Sequence, residues 1–436
     1  MKKKITLTVL ALFIAGVALH AQSSYVNKVI IVNEGHNDYN TSTQTVPVTV
    51  GAYDPATKHY AVFDTIQNAR FATHVIMDGS NIYVAADSQV IRYDANTYQR
   101  MASTNVRGVR KLAVWNNQLF VSRGEYQQTF SSYFQAYNKS DLSFLYNLSA
   151  SAGIGPLYST EGIIVKDNIA YVAVGNGFDW GNEKDIIGRV DLTNQNYVNE
   201  IHLGAGGTNP EGMYFDNNDN IYTVNNTNYS TASISRVNTT SQTASTVNLA
   251  TTSGCGASGF APGFVMFQSS YYNQLGRFNV ATSTVQDTLL INREIYGMMT
   301  DTINNLIYTG VTDYVKYGKI FIYDFAGVVK DSFDVSVSPG NIAIDVRSTT
   351  TGVKEAVNTQ TLACYPNPAH DQVLVVANNT NAMSDTYILT DVTGREVKTF
   401  HSDLSRFTLD IHTFEAGIYL LSSVSNPIEK IKIVKQ

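Results

Sequence analysis

The sequence is poor in cysteine and, beyond its N-terminal segment, in long apolar runs. Its 436 residues include two cysteines, Cys255 and Cys364, which fall in regions that we predict to be separate domains. A disulfide between them would have to cross a domain boundary, so we expect two unpaired thiols and a fold stabilised by its core. No later segment sustains the roughly 20 apolar residues of a membrane helix, which predicts a soluble mature chain.

Several catalytic and metal-binding patterns are also missing. No Gly-x-Ser-x-Gly elbow occurs, no glycine-rich phosphate loop precedes a helix, and no metal-ligand spacing relates the histidines His36, His59, His74 and His202. The stretch from Asp216 to Asn220 imitates a calcium loop, yet it lacks the glycine and the terminal glutamate of an EF-hand, which indicates a hairpin turn. Helical periodicity is absent as well, so we predict an all-β protein.

The first 21 residues have the three parts of a secretory signal. Lys2–Lys4 form a charged start, Ile5 to Leu19 is apolar, and Ala21 is a small residue at the predicted cleavage site. We therefore predict a signal peptide over residues 1–21, with no cysteine after it to carry a lipid anchor. Its removal makes the formal net charge of −6 more negative by the three lysines, which argues against nucleic acid as a partner.

One pattern recurs between about Tyr25 and Arg347. It consists of an apolar strand, a turn of Asp, Asn and Gly, a second strand ending in Tyr-Val or similar, and a third strand with an Arg-x-Asp or Tyr-Asp element. Spacings of 34 to 51 residues separate the copies, and four short strands at such a period are typical of propeller blades. The six visible copies begin at His74, Lys111, Gly162, Gly212, Gly263 and Gly297.

A seventh copy is split between the two ends of this region. Asn341-Ile-Ala-Ile-Asp supplies its first strand, and the segments beginning at Lys28, Val50 and Val62 supply the others. Pairing both ends of the chain in one blade closes the ring and removes exposed sheet edges. We predict a seven-bladed β-propeller over residues 22–347.

The pattern changes after the propeller. Residues 348–360 are polar without apolar periodicity and predict a linker. Residues 361–436 hold short strands separated by turn residues such as those from Asp391 to Gly394. This spacing predicts a small immunoglobulin-like β-sandwich.

The C-terminal module closely resembles the type A sorting domain of type IX secretion. The motifs that carry the resemblance are Tyr365-Pro-Asn-Pro368, Asp391-Val-Thr-Gly-Arg395, Gly417-Ile-Tyr-Leu420 and Lys430-Ile-Lys-Ile-Val-Lys435. The resemblance implies passage through the periplasm, recognition of residues 361–436 by the outer-membrane translocon and a sortase, and release or anchoring at the cell surface. An ordinary adhesion module is the alternative.

The first region resembles the YncE-like bacterial propellers and, more narrowly, surface propellers with the patterns Asn33-Glu34-Gly35 and Asn209-Pro-Glu-Gly212. Some relatives of that architecture capture cobalamin and pass it to an outer-membrane transporter. The resemblance implies a surface ligand and a transporter partner, although a fold does not fix a function.

Aromatic residues beside amides and carboxylates recur in the loops after second strands, which should share one face with the loops before first strands. Such rings suit a polar ligand with apolar faces, for instance cobalamin or a glycan, or a protein partner. Packing between loops is the alternative role. We predict ligand contacts at Arg123, Tyr126, Phe178, Trp180, Tyr229 and Tyr296.

The loops entering first strands carry charged residues. Glu161 and Glu211 occupy the same position in adjacent copies, and with Asn225 they could supply oxygen ligands to calcium. This arrangement resembles calcium-dependent lactonase propellers, whose metal polarises a lactone carbonyl. Hydrogen bonding of these glutamates to loop backbone is the interpretation that we favour, with no cofactor. We therefore predict a non-enzymatic surface or secreted binding propeller, with a calcium-dependent hydrolase and a structural or adhesive protein as the alternatives.

Overall fold

The computed structural model describes residues 23–216, 218–228, 231–250, 257–270, 274–349, 362–377, 385–424 and 430–436. The chain divides into two compact units, Met1–Thr349 and Thr350–Gln436. The predicted signal peptide, most of the predicted linker, Tyr229 and Cys255 lie outside the described residues. Within those residues the regular structure is β-strand apart from one short 3₁₀ helix, Ala205–Gly207, which confirms the all-β prediction. We find no helix among them with the length and apolar character needed to cross a membrane.

The described residues of the first unit form seven four-stranded antiparallel sheets and one small hairpin. One sheet joins both ends of the unit in the order β30-β1-β4-β5. Its strands are β1 (Ser23–Asn33), β4 (Val48–Asp54), β5 (His59–Ile66) and β30 (Pro339–Thr349). The hairpin between its strands consists of β2 (His36–Asp38) and β3 (Thr43–Val46).

The other six sheets each take four consecutive strands. The second and third sheets contain β6 (His74–Asp78), β7 (Asn81–Ala86), β8 (Gln89–Asp94), β9 (Arg100–Asn105), β10 (Val109–Trp115), β11 (Gln118–Arg123), β12 (Phe134–Asn138) and β13 (Phe144–Leu148). The fourth and fifth contain β14 (Ile163–Lys166), β15 (Ile169–Val174), β16 (Ile186–Asp191), β17 (Asn196–His202), β18 (Pro210–Phe215), β19 (Asn220–Asn225), β20 (Ala232–Asn238) and β21 (Thr243–Leu249). The sixth and seventh contain β22 (Ser258–Ala261), β23 (Phe264–Ser270), β24 (Gln274–Asn279), β25 (Thr284–Asn292), β26 (Gly297–Asp301), β27 (Leu306–Thr312), β28 (Gly318–Asp324) and β29 (Val329–Val335).

The sheets are arranged in a closed ring. The first strand of each sheet contacts the first strand of the next, in the order β30, β6, β10, β14, β18, β22, β26 and back to β30. Strand β1 pairs with β30 so that Ile30 lies opposite Ala343, which ties the N-terminal strand to the C-terminal one. Such a closed ring, in which each sheet contacts two neighbouring sheets, is the architecture of a β-propeller.

The core lies between adjacent sheets, which explains why the second strands are apolar throughout. In β7, Ile82 and Val84 pack into one apolar cluster, whereas Tyr83 and Ala85 pack into the cluster on the other face. Successive side chains of a strand point to opposite faces, and both faces are covered by neighbouring sheets. The sequence therefore shows continuous apolar runs here instead of alternation.

The recurring Asp or Asn at the end of each third strand closes the turn to the fourth. In all seven sheets its side-chain Oδ1 accepts a hydrogen bond from the backbone N–H two residues later, a local turn that these residue types favour. The seven residues are Asp54, Asp94, Asn138, Asp191, Asn238, Asn279 and Asp324. The Arg-x-Asp and Tyr-Asp elements of the sequence are thus turn signals.

The second unit contains two sheets around one apolar core. The three-stranded sheet has the order β31-β32-β35 and the four-stranded sheet the order β34-β33-β36-β37. Their strands are β31 (Leu362–Tyr365), β32 (Gln372–Ala377), β33 (Asp385–Asp391), β34 (Glu396–Ser402), β35 (Arg406–Asp410), β36 (Gly417–Ser423) and β37 (Lys430–Lys435). Cys364 is buried in this core with a free thiol.

The tail motifs have local structural roles. Asn367 donates a hydrogen bond from Nδ2 to the Lys432 carbonyl (2.6 Å) and accepts one at Oδ1 from the Val434 N–H (2.8 Å). One side chain thereby fixes the first motif against the last strand. Asp391 accepts hydrogen bonds from the backbone N–H groups of Thr393 and Arg395 and so closes the turn of the second motif.

Candidate functional site

One face of the ring is built from the loops that follow second strands and the loops that enter first strands. The two kinds of loop are joined by backbone hydrogen bonds: Gly124 N–H to the Gly108 carbonyl (2.8 Å), and Asn176 N–H to the Ser159 carbonyl (3.1 Å). Neighbouring sheets are joined there too, because the Thr160 N–H donates to the Arg123 carbonyl (2.9 Å). The loops of the third and fourth sheets are therefore joined into one surface on this face.

The loops after β11 and β15 enclose an open depression of about 460 Å³, which we call the aromatic depression. Tyr126 and Trp180 are 52% and 70% exposed, and their ring centroids lie 5.6 Å apart with an interplanar angle of 35°. The lining residues are Glu125, Tyr126, Gln127, Gln128, Thr129, Tyr133, Ser159, Asn176, Phe178, Asp179 and Trp180. Three of the predicted ligand contacts, Tyr126, Phe178 and Trp180, are thus brought together.

Phe178 forms the floor of the depression and is held from two sides. A Cβ built on Gly124 would lie 2.7 Å from the Phe178 ring, so the ring packs directly on the glycine backbone. The Arg110 guanidinium lies over the Phe178 ring, 5.0 Å from its centroid. A cation at this distance from an aromatic face is attracted to it, so Arg110 fixes the position of Phe178.

Arg123, a predicted ligand contact, lies beneath the loop and does not line the depression. It is 9% exposed, donates to the carbonyls of Arg107 (3.0 Å) and Ser132 (2.8 Å), and stacks 4.0 Å from the centroid of Phe130. These contacts hold the loop between β11 and β12 in place. The structure therefore gives Arg123 a positioning role.

A second hollow of about 400 Å³, the charged recess, adjoins the depression at Glu125, which lines both. Glu125 pairs with Arg70 (3.1 Å) and with Arg107 (3.0 Å), and Arg70 also pairs with Asp87. No function was predicted from the sequence for Arg70, Asp87, Arg107 or Glu125. The available signal was the position of Glu125 beside Tyr126.

A group of charged residues, the inner charged cluster, lies where the innermost strands begin. Arg110 donates from Nε to the Glu161 carboxylate at 2.6 Å, and Lys111 donates to the Thr73 carbonyl at 2.8 Å. The charges of Arg110 and Lys111 also act on Glu34 and Glu211. The cluster consists of Glu34, Arg110, Lys111, Glu161 and Glu211.

Burial changes the protonation of this cluster. Desolvation raises the pKa of Glu34 to about 7, against the opposing effect of a hydrogen bond with Tyr296. Desolvation, reinforced by the Glu161 carboxylate, raises the pKa of Glu211 to about 7. Burial also lowers the pKa of Lys111. Both glutamates therefore change protonation near neutral pH, because the charged form is disfavoured away from water.

The predicted calcium ligands do not come together as a donor set. Glu161 is engaged by Arg110, and the Asn225 amide donates to the hydroxyls of Ser233 and Ser235, both at 2.8 Å. Within the described ranges there is no group of three or more His, Cys, Asp or Glu side chains placed to hold a metal ion. Calcium prefers six to eight oxygen ligands, and the three predicted ligands do not provide such a set. The calcium hypothesis itself stays a prediction.

Tyr296 lies in a different part of the face from the aromatic depression. Its ring packs edge-on against Tyr314 at 5.2 Å, and its hydroxyl bonds the Glu34 carboxyl. Asn341 also donates to Glu34 at 3.3 Å, and Gly340 leaves no room for a Cβ beside this carboxyl. Tyr296, which was predicted as a ligand contact, thus lies with the inner charged cluster and does not line the aromatic depression.

One known family matches the C-terminal tail of this chain. A model of the secretion system C-terminal sorting domain matches residues 363–436, which confirms the resemblance drawn from the tail motifs. The protein is exported by type IX secretion to the cell surface or the extracellular space, and the tail implies recognition by the type IX machinery. No curated protein matches the sequence.

Several solved structures are similar to this chain at low sequence identity. Hydrazine synthase of Kuenenia stuttgartiensis is 15% identical with a TM-score of 0.50, covering 64% of this chain and 92% of that one. A functionally unknown protein from Desulfotomaculum acetoxidans is 13% identical with a TM-score of 0.52, covering 73% and 98%. The β-propeller domain of Cps50 (Swd1) from Myceliophteria thermophila is 11% identical with a TM-score of 0.48, covering 61% and 87%. At these identities, the first two similarities concern the fold alone.

Proposed function

We propose that this chain is an exported, non-enzymatic binding protein whose seven four-stranded sheets are the blades of one propeller, and that it binds its ligand in the aromatic depression. The observation that carries this proposal is the pair of adjacent exposed rings, Tyr126 and Trp180. Burial of a large aromatic side chain is favourable, and in the ligand-free protein these two side chains stay exposed. A ligand with an apolar face would supply that burial.

The polar lining supports binding rather than packing. The side chains of Gln127, Gln128 and Thr129 are exposed and form no hydrogen bond within the part of the chain that the structure describes. An amide offers both donors and an acceptor. These groups are therefore available to orient a bound molecule, as the polar groups of ligand sites do.

The domain arrangement fits this use. Under the proposal, residues 22–347 are the mature propeller that meets the environment, residues 361–436 are the sorting tail, and the segment 348–360 contains the site of a second cleavage. Binding would then be a property of the propeller, while the tail serves export. An N-terminal sequence and an intact mass of the secreted protein would test these boundaries.

The binding site is tested by equilibrium titration of the full chain with cobalamin, with glycans and with envelope proteins. We expect a ligand from one of these classes to bind, and we expect Trp180→Ala and Tyr126→Ala to weaken its binding. Phe144→Ala is the matched control, since Phe144 is 54% exposed on β13, outside the depression. Unchanged affinity of a confirmed ligand in both depression variants would refute the site.

A further inference from the structure

We infer that the ligand of the aromatic depression is a carbohydrate chain of several pyranose units that extends from the depression into the charged recess. The inference rests on the proposed function, since it names the class of molecule that the same site takes. It depends on three features: the inclination of the two exposed rings, the mixture of donors and acceptors around them, and the continuity of the two hollows.

The rings offer two separate apolar faces. Tyr126 and Trp180 are inclined at 35° with centroids 5.6 Å apart, so a single flat molecule cannot lie parallel to both. The face of an aromatic ring is electron-rich and attracts the C–H groups that line one side of a pyranose. Successive sugar units, which turn relative to one another, match two inclined rings better than one rigid planar system does.

The polar groups match hydroxyls. A sugar hydroxyl both donates and accepts a hydrogen bond, so a site for it needs both kinds of partner close to the apolar faces. Gln127 and Gln128 supply amides, and Thr129 supplies a hydroxyl. Asp179 adds a carboxylate that Asn182 orients with a hydrogen bond of 3.0 Å. Hydrogen bonds to a charged group are the stronger ones.

The two hollows provide length. The depression and the charged recess share Glu125, and the recess is bordered by Arg107, whose side chain is 59% exposed. A ligand that filled both would contact loops of three sheets. A compact molecule could use only one of the hollows, whereas an oligosaccharide could pass from the rings of the depression to the guanidinium of Arg107.

The chain provides its own optical probe for this inference. Its two tryptophans are Trp115 and Trp180, and Trp115 is partly buried against an apolar cluster between sheets. The full chain with Trp115→Phe therefore reports on Trp180 alone. We would titrate it with hexasaccharides of β-1,4-glucose, β-1,3-glucose, β-1,4-mannose, β-1,4-N-acetylglucosamine and α-1,4-glucose, and with the disaccharide of each linkage.

We expect at least one hexasaccharide to change the Trp180 emission and to bind at least 10-fold more tightly than its disaccharide. Tyr126→Ala should weaken the binding of both the hexasaccharide and the disaccharide by about 10-fold or more. Arg107→Ala should weaken the binding of the hexasaccharide only. Phe144→Ala should change neither. Circular dichroism and thermal unfolding of each variant establish that it is folded.

The other outcomes are distinct. If no hexasaccharide binds, or if hexasaccharide and disaccharide bind equally, the inference is wrong. If cyanocobalamin or an envelope protein binds in a manner that depends on Trp180 while the sugars do not, the carbohydrate class fails and the proposed site stands. If a sugar binds with no change in Trp180 emission and no effect of Tyr126→Ala, both the inference and the proposed site fail.

Discussion

The aromatic depression and the inner charged cluster lie on the same face of the ring, yet their side chains are used in opposite ways. In the depression, Tyr126 and Trp180 are exposed and several polar groups have no partner in the described structure. In the cluster, Arg110 is paired with Glu161, and the pKa values of Glu34 and Glu211 are raised to about 7 by burial. The comparison indicates that the first surface is suited to a ligand, whereas the second makes the stability of the propeller depend on pH.

The largest effect that separates the two regions should come from Trp180→Ala. We expect it to weaken binding of the ligand by about 30-fold or more, or about 2 kcal/mol, as for a central aromatic contact. The melting temperature should stay within about 1 °C, because substitutions at exposed positions seldom change stability. Calorimetric titration and thermal unfolding measure the two quantities. A large fall in melting temperature would instead place Trp180 in the support of the loop.

Arg110→Met tests whether the two regions are independent, because Arg110 both pairs with Glu161 and contacts Phe178. We expect a loss of about 1–3 kcal/mol in the free energy of unfolding, since Glu161 would remain largely buried without its cation; partial solvent access keeps this below the cost for a fully buried pair. Denaturant unfolding measures it.

Arg110→Lys is the control for this change, since it keeps the charge and loses the planar guanidinium. It should recover part of the stability. If Arg110→Met changed neither stability nor binding, the link between the cluster and the depression would be disproved.

Gly124→Ala should act on the depression from below. The added methyl group would lie 2.7 Å from the Phe178 ring and 2.9 Å from Ser159 Cβ, so the ring must move. We expect ligand affinity to fall by about 5- to 10-fold, about 1 kcal/mol. In a Phe178→Ala background the same change should cause a smaller further loss, since only the contact with Ser159 Cβ remains. Additive losses in the double variant would show that Gly124 acts by another route.

The smallest effect concerns pH. The raised pKa of Glu211 means that the folded protein holds a proton at this carboxyl that the unfolded chain releases at a lower pH. The stabilisation from that proton is complete below about pH 4.5 and is lost as pH rises towards about 7. Glu211→Gln removes this pH-dependent loss of stability, because a glutamine side chain does not titrate.

The difference in melting temperature, variant minus parent, should therefore be near zero at pH 4.5 and positive by a few degrees at pH 8. Asp334→Asn is a control with an 80% exposed side chain and should show no such trend. Equal differences at both pH values for Glu211→Gln would contradict the burial of an ionisable carboxyl in the cluster.

Much of the fold was predictable from local patterns. The Asp or Asn that ends each third strand forms a turn within two residues, so its role is independent of the rest of the molecule. The tail motifs were equally informative, since Asp391 closes a local turn. The family match over residues 363–436 confirms what those motifs indicated, and the all-β prediction was confirmed as well.

The candidate site was only partly predictable. Tyr126, Phe178 and Trp180 were predicted from aromatic residues in loops, and they lie together. Arg123 was predicted as a ligand contact but holds the loop from below, because a sequence does not show on which side of a loop a long side chain lies. Glu125 was missed because its partners Arg70 and Arg107 are 55 and 18 residues away along the chain.

The sequence by itself determined the export route, the turns and the strand order of the six sheets that take consecutive strands, because each depends on residues close together in the chain. Only the tertiary structure decided which loops meet, that Glu161 is bonded to Arg110, and that Tyr296 lies with Glu34 rather than with Trp180. The physical reason is that these outcomes depend on side-chain direction and burial, and ring closure fixes both by bringing distant loops onto one face.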